Sequence, residues 1–292
     1  MPELPEVETV CRGLNQLSCD REIQGGEILL PRTIAYPLSG DTFLEGVTGS
    51  AIAQWQRRGK YLLAQLIQFS QNSPKSTENS VKSKGWLGVH LRMTGQLLWT
   101  TREVTLQKHA RVRLFLSDDR ELRFIDTRTF GKMWWVPPDC QPAEIMTGLK
   151  KLGVEPFSTA FNLDYFIQKL RNRKKSIKAA LLDQGIVAGL GNIYADEVLF
   201  KSGIRPDAIA STLTPQQLQY LHAAIGEVLQ TAIDKGGTTF SDFLNPLGVN
   251  GNYGGVAWVY GRKNQPCRVC QTAIERIKLA GRSTHYCPQC QN

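Results

Sequence analysis

Apolar and polar positions change rhythm twice along this chain. Residues 3–17 repeat at a helical period. Leu4, Val7, Val10, Leu14 and Leu17 fall on one face, Pro5 occupies a first turn that needs no N–H from it, and Glu3, Glu6 and Glu8 crowd the end that favours negative charge. From about residue 20 to 136 the rhythm shortens to β-like runs at 28–30, 61–67, 88–91, 112–116, 122–125 and 133–136. Gly, Asp and Pro punctuate them, which predicts a β-sandwich or barrel. The polar Ser/Asn/Lys tract at 70–84 reads as a solvated loop between strands and not as a domain linker. After Pro137-Pro138 the helical period returns over 163–170, 176–182, 192–201 and 216–235, with Pro206 and Pro215 near helix starts. A Gly/Asn-rich stretch at 245–255 predicts a loop, and the remaining C-terminal residues form a hairpin-sized unit. The chain has no internal repeat.

Length and composition narrow the classes. With 292 residues, 41% of them hydrophobic, the chain is long enough for two packed domains and a small appendage, and far from a disordered or collagen-like composition. No apolar run approaches the ~20 residues that span a bilayer. The acidic, Pro-rich start is the opposite of a secretion signal, so a cytoplasmic location is expected. A formal charge of +9 favours a polyanionic partner.

Four of the seven cysteines cluster. Cys267-x2-Cys270 and Cys287-x2-Cys290, sixteen residues apart, have the spacing of a tetrahedral zinc site in which four thiolates fill the shell and leave no position for water. Two disulfides are the alternative, disfavoured without a secretion signal. Arg268, Arg276, Lys278 and Arg282 lie in or beside this ribbon and suit a polyanion contact. Cys11, Cys19 and Cys140 are scattered and read as small apolar core residues.

Two further segments carry chemistry, each with a bland reading beside it. Removal of Met1 exposes Pro2 as a secondary amine. An α-amine has a pKa of about 8, low enough for a neutral nucleophile near pH 7. Glu3 and Glu6 stand beside it as candidate acids; alternatively, all three merely start a helix. Lys174, Lys175 and Lys178 precede Gly189-Leu-Gly-Asn192, a glycine-rich turn opening a helix. Its N–H groups suit a phosphate, with Asn192 as cap or donor, or it is a tight helix–helix turn.

Taken together, Pro2-Glu3-Leu4-Pro5-Glu6-Val7-Glu8, Gly191-Asn192-Ile193-Tyr194 and the four-cysteine ribbon resemble the formamidopyrimidine-DNA glycosylases, bacterial bifunctional enzymes that remove oxidised purines from DNA and cleave the abasic site. The resemblance runs from Pro2 to the C-terminus, broken mainly at 70–84. It implies an α+β fold in three domains: a catalytic β-sandwich with an N-terminal helix over 2–136, a helix–two-turn–helix DNA-binding domain with a lesion-capping loop over 137–255, and a zinc finger over 256–292. It implies one structural zinc on Cys267, Cys270, Cys287 and Cys290, and damaged double-stranded DNA as partner to a monomer with no membrane contact.

The same resemblance assigns roles. Pro2 attacks C1′ and forms a Schiff base, Glu3 is the acid/base partner and Glu6 a supporting carboxylate. Lys60 serves β-elimination and phosphate contact. Arg282 serves δ-elimination and flanking-phosphate binding, of which the second suits a guanidinium better. Base removal requires extruding the nucleotide, with Met93 and Phe130 filling the void and Arg128 reading the orphaned base. His90, His109, Arg173 and Asn192 match further DNA contacts, and 245–255 the loop that closes over the lesion. Ser241 receives no role. Without the resemblance, Met93 and Phe130 read as core and Lys60 as a solvated hairpin charge. Within the family, Leu4 and the Met93/Arg128/Phe130 set favour the purine enzyme over an endonuclease VIII-like, pyrimidine-preferring one. A non-catalytic zinc-ribbon DNA-binding protein would need neither Pro2 nor Glu3, and a zinc-dependent hydrolase lacks a His/Glu ligand set.

Overall fold

A computed structural model describes residues 1–68, 82–238 and 244–292. Most of the 70–84 tract, and Ser241, fall outside these residues. The chain divides into two compact units: the first holds Met1–Pro2, Glu6–Lys150 and Ser241–Gly251, the second Glu3–Pro5, Lys151–Phe240 and Asn252–Asn292.

The first unit is a sheet with helices. Its elements are α1 (Leu4–Ser18, of which the first two residues belong to the second unit), β1 (Glu22–Ile28), β2 (Ile34–Tyr36), α2 (Gly40–Val47), β3 (Ser50–Arg58), β4 (Tyr61–Gln68), β5 (Ser83–His90), β6 (Gly95–Thr101), β7 (Ala110–Leu116), β8 (Arg120–Asp126), β9 (Lys132–Val136) and α3 (Pro142–Ile145). The nine strands are hydrogen-bonded in the order β2-β9-β5-β4-β3-β1-β7-β8-β6, antiparallel except for β2 with β9. Alternation along β7 buries Ala110, Val112, Leu114 and Leu116 on one face. Leu87, Leu62, Trp55, Ile23, Leu114, Phe124 and Leu97, from seven strands, share one buried cluster with Val7, Val10 and Leu14 of α1. Strands far apart in the sheet thus enclose a common core, as in a sandwich.

Asn15 pins α1 to β3. Its amide accepts the Trp55 N–H and donates to the Trp55 carbonyl, both at 2.9 Å, beside the point where the β3–β4 register shifts. The Trp55 indole donates to Ser18 Oγ at 2.9 Å, so the largest side chain of this core keeps a partner for its one polar atom. Of the scattered thiols, Cys11 is buried, which pushes it up to about 12, whereas Cys19 and Cys140 are only half-buried.

The second unit contains α4 (Leu163–Leu170), α5 (Ile177–Leu181), α6 (Asn192–Lys201), α7 (Pro215–Asp234) and the hairpin β10 (Glu275–Leu279) with β11 (Arg282–Tyr286). Side chains cap the helices as their sequences direct. Asn162 caps α4 and Ser176 caps α5. Thr214 caps α7, where Gln217 bonds back to the Thr214 N–H and Pro215 occupies the first turn. The α6 start lacks such a cap. No helix among the described residues is long and apolar enough to cross a membrane.

A buried charge pair braces the first unit. Arg123 and Glu121 are fully buried on β8 and meet at 2.7 and 2.9 Å, and Arg113 of β7 reaches the same carboxylate at 2.8 and 2.9 Å. Arg123 also donates to the carbonyls of Val104 and Thr105 and to Gln107, fixing the chain that leads to His109. Burial alone would raise the Glu121 carboxyl, but the two guanidiniums outweigh it and hold it below the usual 4.5. Replacing Glu121 by Gln strands Arg123 in the core and is expected to cost about 3–5 kcal/mol in urea unfolding. A depressed folded value stabilises above the unfolded pKa and is lost as pH falls through it. Stability of the parent protein therefore drops on acidification below pH 4.5, and that of the variant drops less.

Candidate functional site

The ribbon cysteines converge. All four sulfurs lie within 4.8 Å of one another, with Cys267 and Cys290 at 3.9 Å and Cys270 and Cys287 at 3.4 Å. Thiolates held by tetrahedral zinc at about 2.3 Å stand about 3.8 Å apart, whereas a disulfide requires about 2.05 Å. The set fits one zinc and excludes the disulfide reading in this conformation. Each knuckle is shaped by its own backbone: Val269 N–H points at Cys267 Sγ, and Gln271 takes a φ of 64° to turn the chain. Hydrogen bonds from Thr272 pull the Cys270 thiol down to about 6, while burial pushes the Cys287 and Cys290 thiols up. Phe200, Val259 and Ile274 cover the inner side.

Helix α6 organises the rest of the second unit. Its N-cap, Gly191, has no side chain to offer the exposed N–H groups, and Glu3 supplies one instead. Glu3 is 1% exposed and accepts from Ile193 N at 2.9 Å and more weakly from Tyr194 N at 3.4 Å. A Cβ at Gly191 would lie 2.3 Å from the Glu3 carboxyl carbon, so only glycine admits it. Gly189, at φ 91°, receives the Leu4 N–H on its carbonyl at 3.0 Å and would strike the Leu4 side chain if substituted. The glycine turn, whose N–H groups suit a phosphate unless it is merely a tight turn, instead cradles a carboxylate of the chain itself.

Two acids farther along α6 grip other segments. Asp196, fully buried, pairs with buried Lys178 at 2.6 Å and accepts the His285 N–H at 2.8 Å. Lys178 also donates to the Ser283 carbonyl and the Thr284 hydroxyl, each at 2.9 Å. Burial lowers the Lys178 ammonium, opposed by Asp196 and Glu3. Glu197 accepts from the N–H groups of Trp258, Val259 and Tyr260 at 2.8–2.9 Å and from the Tyr253 hydroxyl at 3.2 Å, so a carboxyl that burial raises is partly offset by four donors. Asn192 donates to the Ser283 carbonyl at 3.0 Å. Glu3, Asn192 and exposed Arg282 are thereby gathered around Lys178. Arg173, half-exposed, faces Asp183 at 3.5 Å.

In the first unit, Pro2 and Glu6 are buried. Lys60 follows Gly59 (φ 55°) in the tight β3–β4 turn and is only 8% exposed, so it is not the solvated charge that the hairpin suggests. Arg57 braces this turn, donating to the Gly59 carbonyl and to Glu8. His90 is buried, with its Nδ1 accepting the Arg92 N–H at 3.0 Å. Burial, with the charges of Arg92 and Lys60, pushes it down to about 3. It is therefore neutral, carries its proton on Nε2, and offers a single donor. Phe130 is 51% exposed under the Arg128 guanidinium, and Met93 is half-buried, so neither is a core residue. His109 is half-buried beside Arg111.

Residues 1–133 match the formamidopyrimidine-DNA glycosylase N-terminal domain, residues 152–243 the H2TH domain of the same enzymes, and residues 264–292 a zinc finger found in FPG and IleRS. The chain belongs to the formamidopyrimidine-DNA glycosylase family. Relatives so named in Rippkaea orientalis and Trichodesmium erythraeum are 60% and 61% identical, each covering 100% of both chains. A Lactococcus lactis Fpg in complex with DNA containing an abasic site superposes with a TM-score of 0.86 at 34% identity, over 99% of each chain. As in that family, the fold is α+β with a sheet domain, an H2TH domain and a zinc finger for one structural zinc.

Asp196 and Glu197 have no role in the sequence reading, and Lys178 stands there only with Lys174 and Lys175 as a basic residue ahead of the glycine turn. The available signal is that Asp196-Glu197 lie between Ile193-Tyr194-Ala195 and Val198-Leu199-Phe200 on one helix.

Replacing Cys270 by Ala should release the zinc and unfold the ribbon. A chromophoric chelator should detect about one equivalent of zinc from the parent protein on thiol modification, and none that is tightly held from the variant.

Proposed function

We propose that this enzyme excises oxidised purines such as 8-oxoguanine and formamidopyrimidines from duplex DNA in base-excision repair and then cleaves the abasic strand. The observation that carries this reading is the Glu3 carboxylate, buried and fixed on the first turn of α6 directly after Pro2. A chain that only bound DNA would not need a carboxyl group held at that point. The Lactococcus enzyme has been seen on abasic-site DNA, on Fapy-dG DNA and on DNA with an oxidised pyrimidine, so lesion class within the family is a matter of degree.

With Met1 in place the Pro2 nitrogen is an amide and cannot attack, so its removal precedes catalysis. The Pro2 amine then attacks C1′ and the glycosidic bond breaks, the base leaving with the bonding electrons and acquiring a proton. The amine loses its proton as the iminium forms and the sugar ring opens, Glu3 serving O4′ as acid/base. Abstraction of a C2′ proton expels the 3′ phosphate, and a second elimination expels the 5′ phosphate. Lys60 and Arg282 bind the flanking phosphates and stabilise charge through these steps, and Glu6 supports Pro2. His90 donates a hydrogen bond from its Nε2–H to a phosphate oxygen. Asn192, His109 and Arg173 add DNA contacts. Met93 and Phe130 fill the space left by the extruded nucleotide while Arg128 meets the widowed base. Zinc supplies structure to the ribbon and takes no part in the chemistry.

We assign the sandwich to 2–136, the helical DNA-binding domain to 137–255 and the finger to 256–292, in a monomer working in the bacterial cytoplasm on nucleoid DNA. Pro2→Gly should lower single-turnover release of 8-oxoguanine by about a thousandfold or more while duplex binding changes little. Glu3→Gln should cost about 10²- to 10⁴-fold. Base release by Pro2→Gly at the parent rate would remove the nucleophile from the scheme. Affinity for lesion duplex should fall steeply between low and physiological salt, because phosphate contacts release counterions.

A further inference from the structure

The three residues assigned to the DNA wedge stand on two turns. The first, at 91–95, closes with Gly95 N–H on the Leu91 carbonyl at 2.9 Å and places Arg92 at a φ of 54°. The second, at 127–131, places Thr129 at 60°. Side chains seldom adopt left-handed backbone, and such turns persist only where surrounding contacts over-determine them.

One carboxylate supplies contacts to both turns. Asp126, the last residue of β8, is 1% exposed. Its Oδ1 accepts the Thr94 hydroxyl at 2.5 Å and the Arg128 N–H at 3.2 Å, and its Oδ2 accepts the Gly131 N–H at 2.7 Å. Thr94 Oγ1 in turn accepts from Arg128 N at 3.0 Å. A Cβ at Gly131 would lie 2.5 Å from Phe124 Cζ and 3.0 Å from Asp126 Oδ2, so the loop can close on the carboxylate only with glycine there. The Asp126 backbone engages a third neighbour. Its N–H donates to the His109 carbonyl at 2.9 Å, and its carbonyl accepts Arg111 Nε at 2.8 Å, whose other nitrogen lies 3.1 Å from His109 Nδ1.

We propose that Asp126, acting through Thr94, is a positioning residue. It fixes Met93 on one turn relative to Arg128 and Phe130 on the other, so that the wedge enters the duplex as a preassembled unit. This inference rests on the assignment of those three residues as the wedge. Three donors converge on two oxygens that only accept. An asparagine would turn an NH2 group toward one of them, so the amide is not a substitute. The arrangement sets base extrusion and reading of the opposite base, and leaves the chemistry at C1′ untouched.

The experiment uses full-length, zinc-loaded protein carrying Asp126→Asn, Thr94→Val or Thr94→Ser. Base release is measured on 8-oxoguanine duplexes with C or A opposite, and borohydride trapping is measured on a single strand with a preformed abasic site, which needs no wedge. D126N and T94V should lose about ten- to a hundredfold in kcat/KM on the duplex and discriminate less between C and A. T94S, which keeps the hydroxyl, should stay within about threefold of the parent, and single-strand trapping should be unchanged in all three. Parent-like duplex activity in both D126N and T94V overturns the proposal. So does an equal loss in single-strand trapping, or a T94S variant as impaired as T94V. Met93→Ala and Phe130→Ala separate the wedge from its positioning: if they release base from the duplex at the parent rate, the wedge assignment itself fails. If they are impaired while D126N and T94V are not, only the positioning role falls.

Discussion

The first turn of α6 and the Glu3 carboxylate hold one another in place, and most of the site's order follows from that bond. A helix start without a capping side chain leaves N–H groups that must find an acceptor once buried. A carboxylate stripped of water must find donors. Each is the other's solution, and glycines at 189 and 191 leave the room that the Leu4 and Glu3 side chains occupy against the turn. Glu3 is thereby fixed by a contact 190 residues away in sequence.

The same helix carries the logic further. Asp196 and Glu197 are buried acids on α6, and each finds its partners in a different segment, Lys178 with β11 in one case and the 258–260 backbone in the other. Removing a partner from such a pair leaves an uncompensated charge, so these contacts specify one arrangement more than they add stability. Arg282 follows as a consequence, because the Ser283 carbonyl beside it is held by both Lys178 and Asn192. In the first unit the distribution is reversed. The Glu121–Arg123 pair is inside and structural, with Arg113 reaching it from a partly buried position, while the half-exposed Phe130 and exposed Arg128 lie outside on a loop, the guanidinium over the ring.

Much of this was legible in the sequence. The C-x2-C pairs announce their ligand set because metal geometry fixes the spacing. Helix α6 has the expected bounds, and α1, α4, α5 and α7 fall within a residue or so of theirs, since caps and apolar period agree. Strands were harder. The expected run at 28–30 lies at the end of β1, which begins at Glu22, because Gly25 and Gly26 mask its alternation, and a Cβ at Gly26 would strike the Arg113 carbonyl. The apolar runs leave α2, α3 and strands β2, β3 and β6 unmarked: β2 and α3 are only three and four residues long, and α2, β3 and β6 mix polar residues among their apolar ones. Lys60 and His90 were visible as residue types but not as a buried cation beside a neutral imidazole, since burial is a property of the packed turn. The glycine turn stays ambiguous in the sequence for a related reason: its free N–H groups are evident, but their occupant, Glu3, lies at the other end of the chain.

The most direct test of the central claim is to reduce the enzyme–DNA intermediate with borohydride and map the attached deoxyribose remnant by mass spectrometry. The expected result is a single modified peptide that begins at Pro2, with the added mass on its nitrogen. A remnant carried by Lys60 or another lysine, or fully active protein that retains Met1, would contradict it.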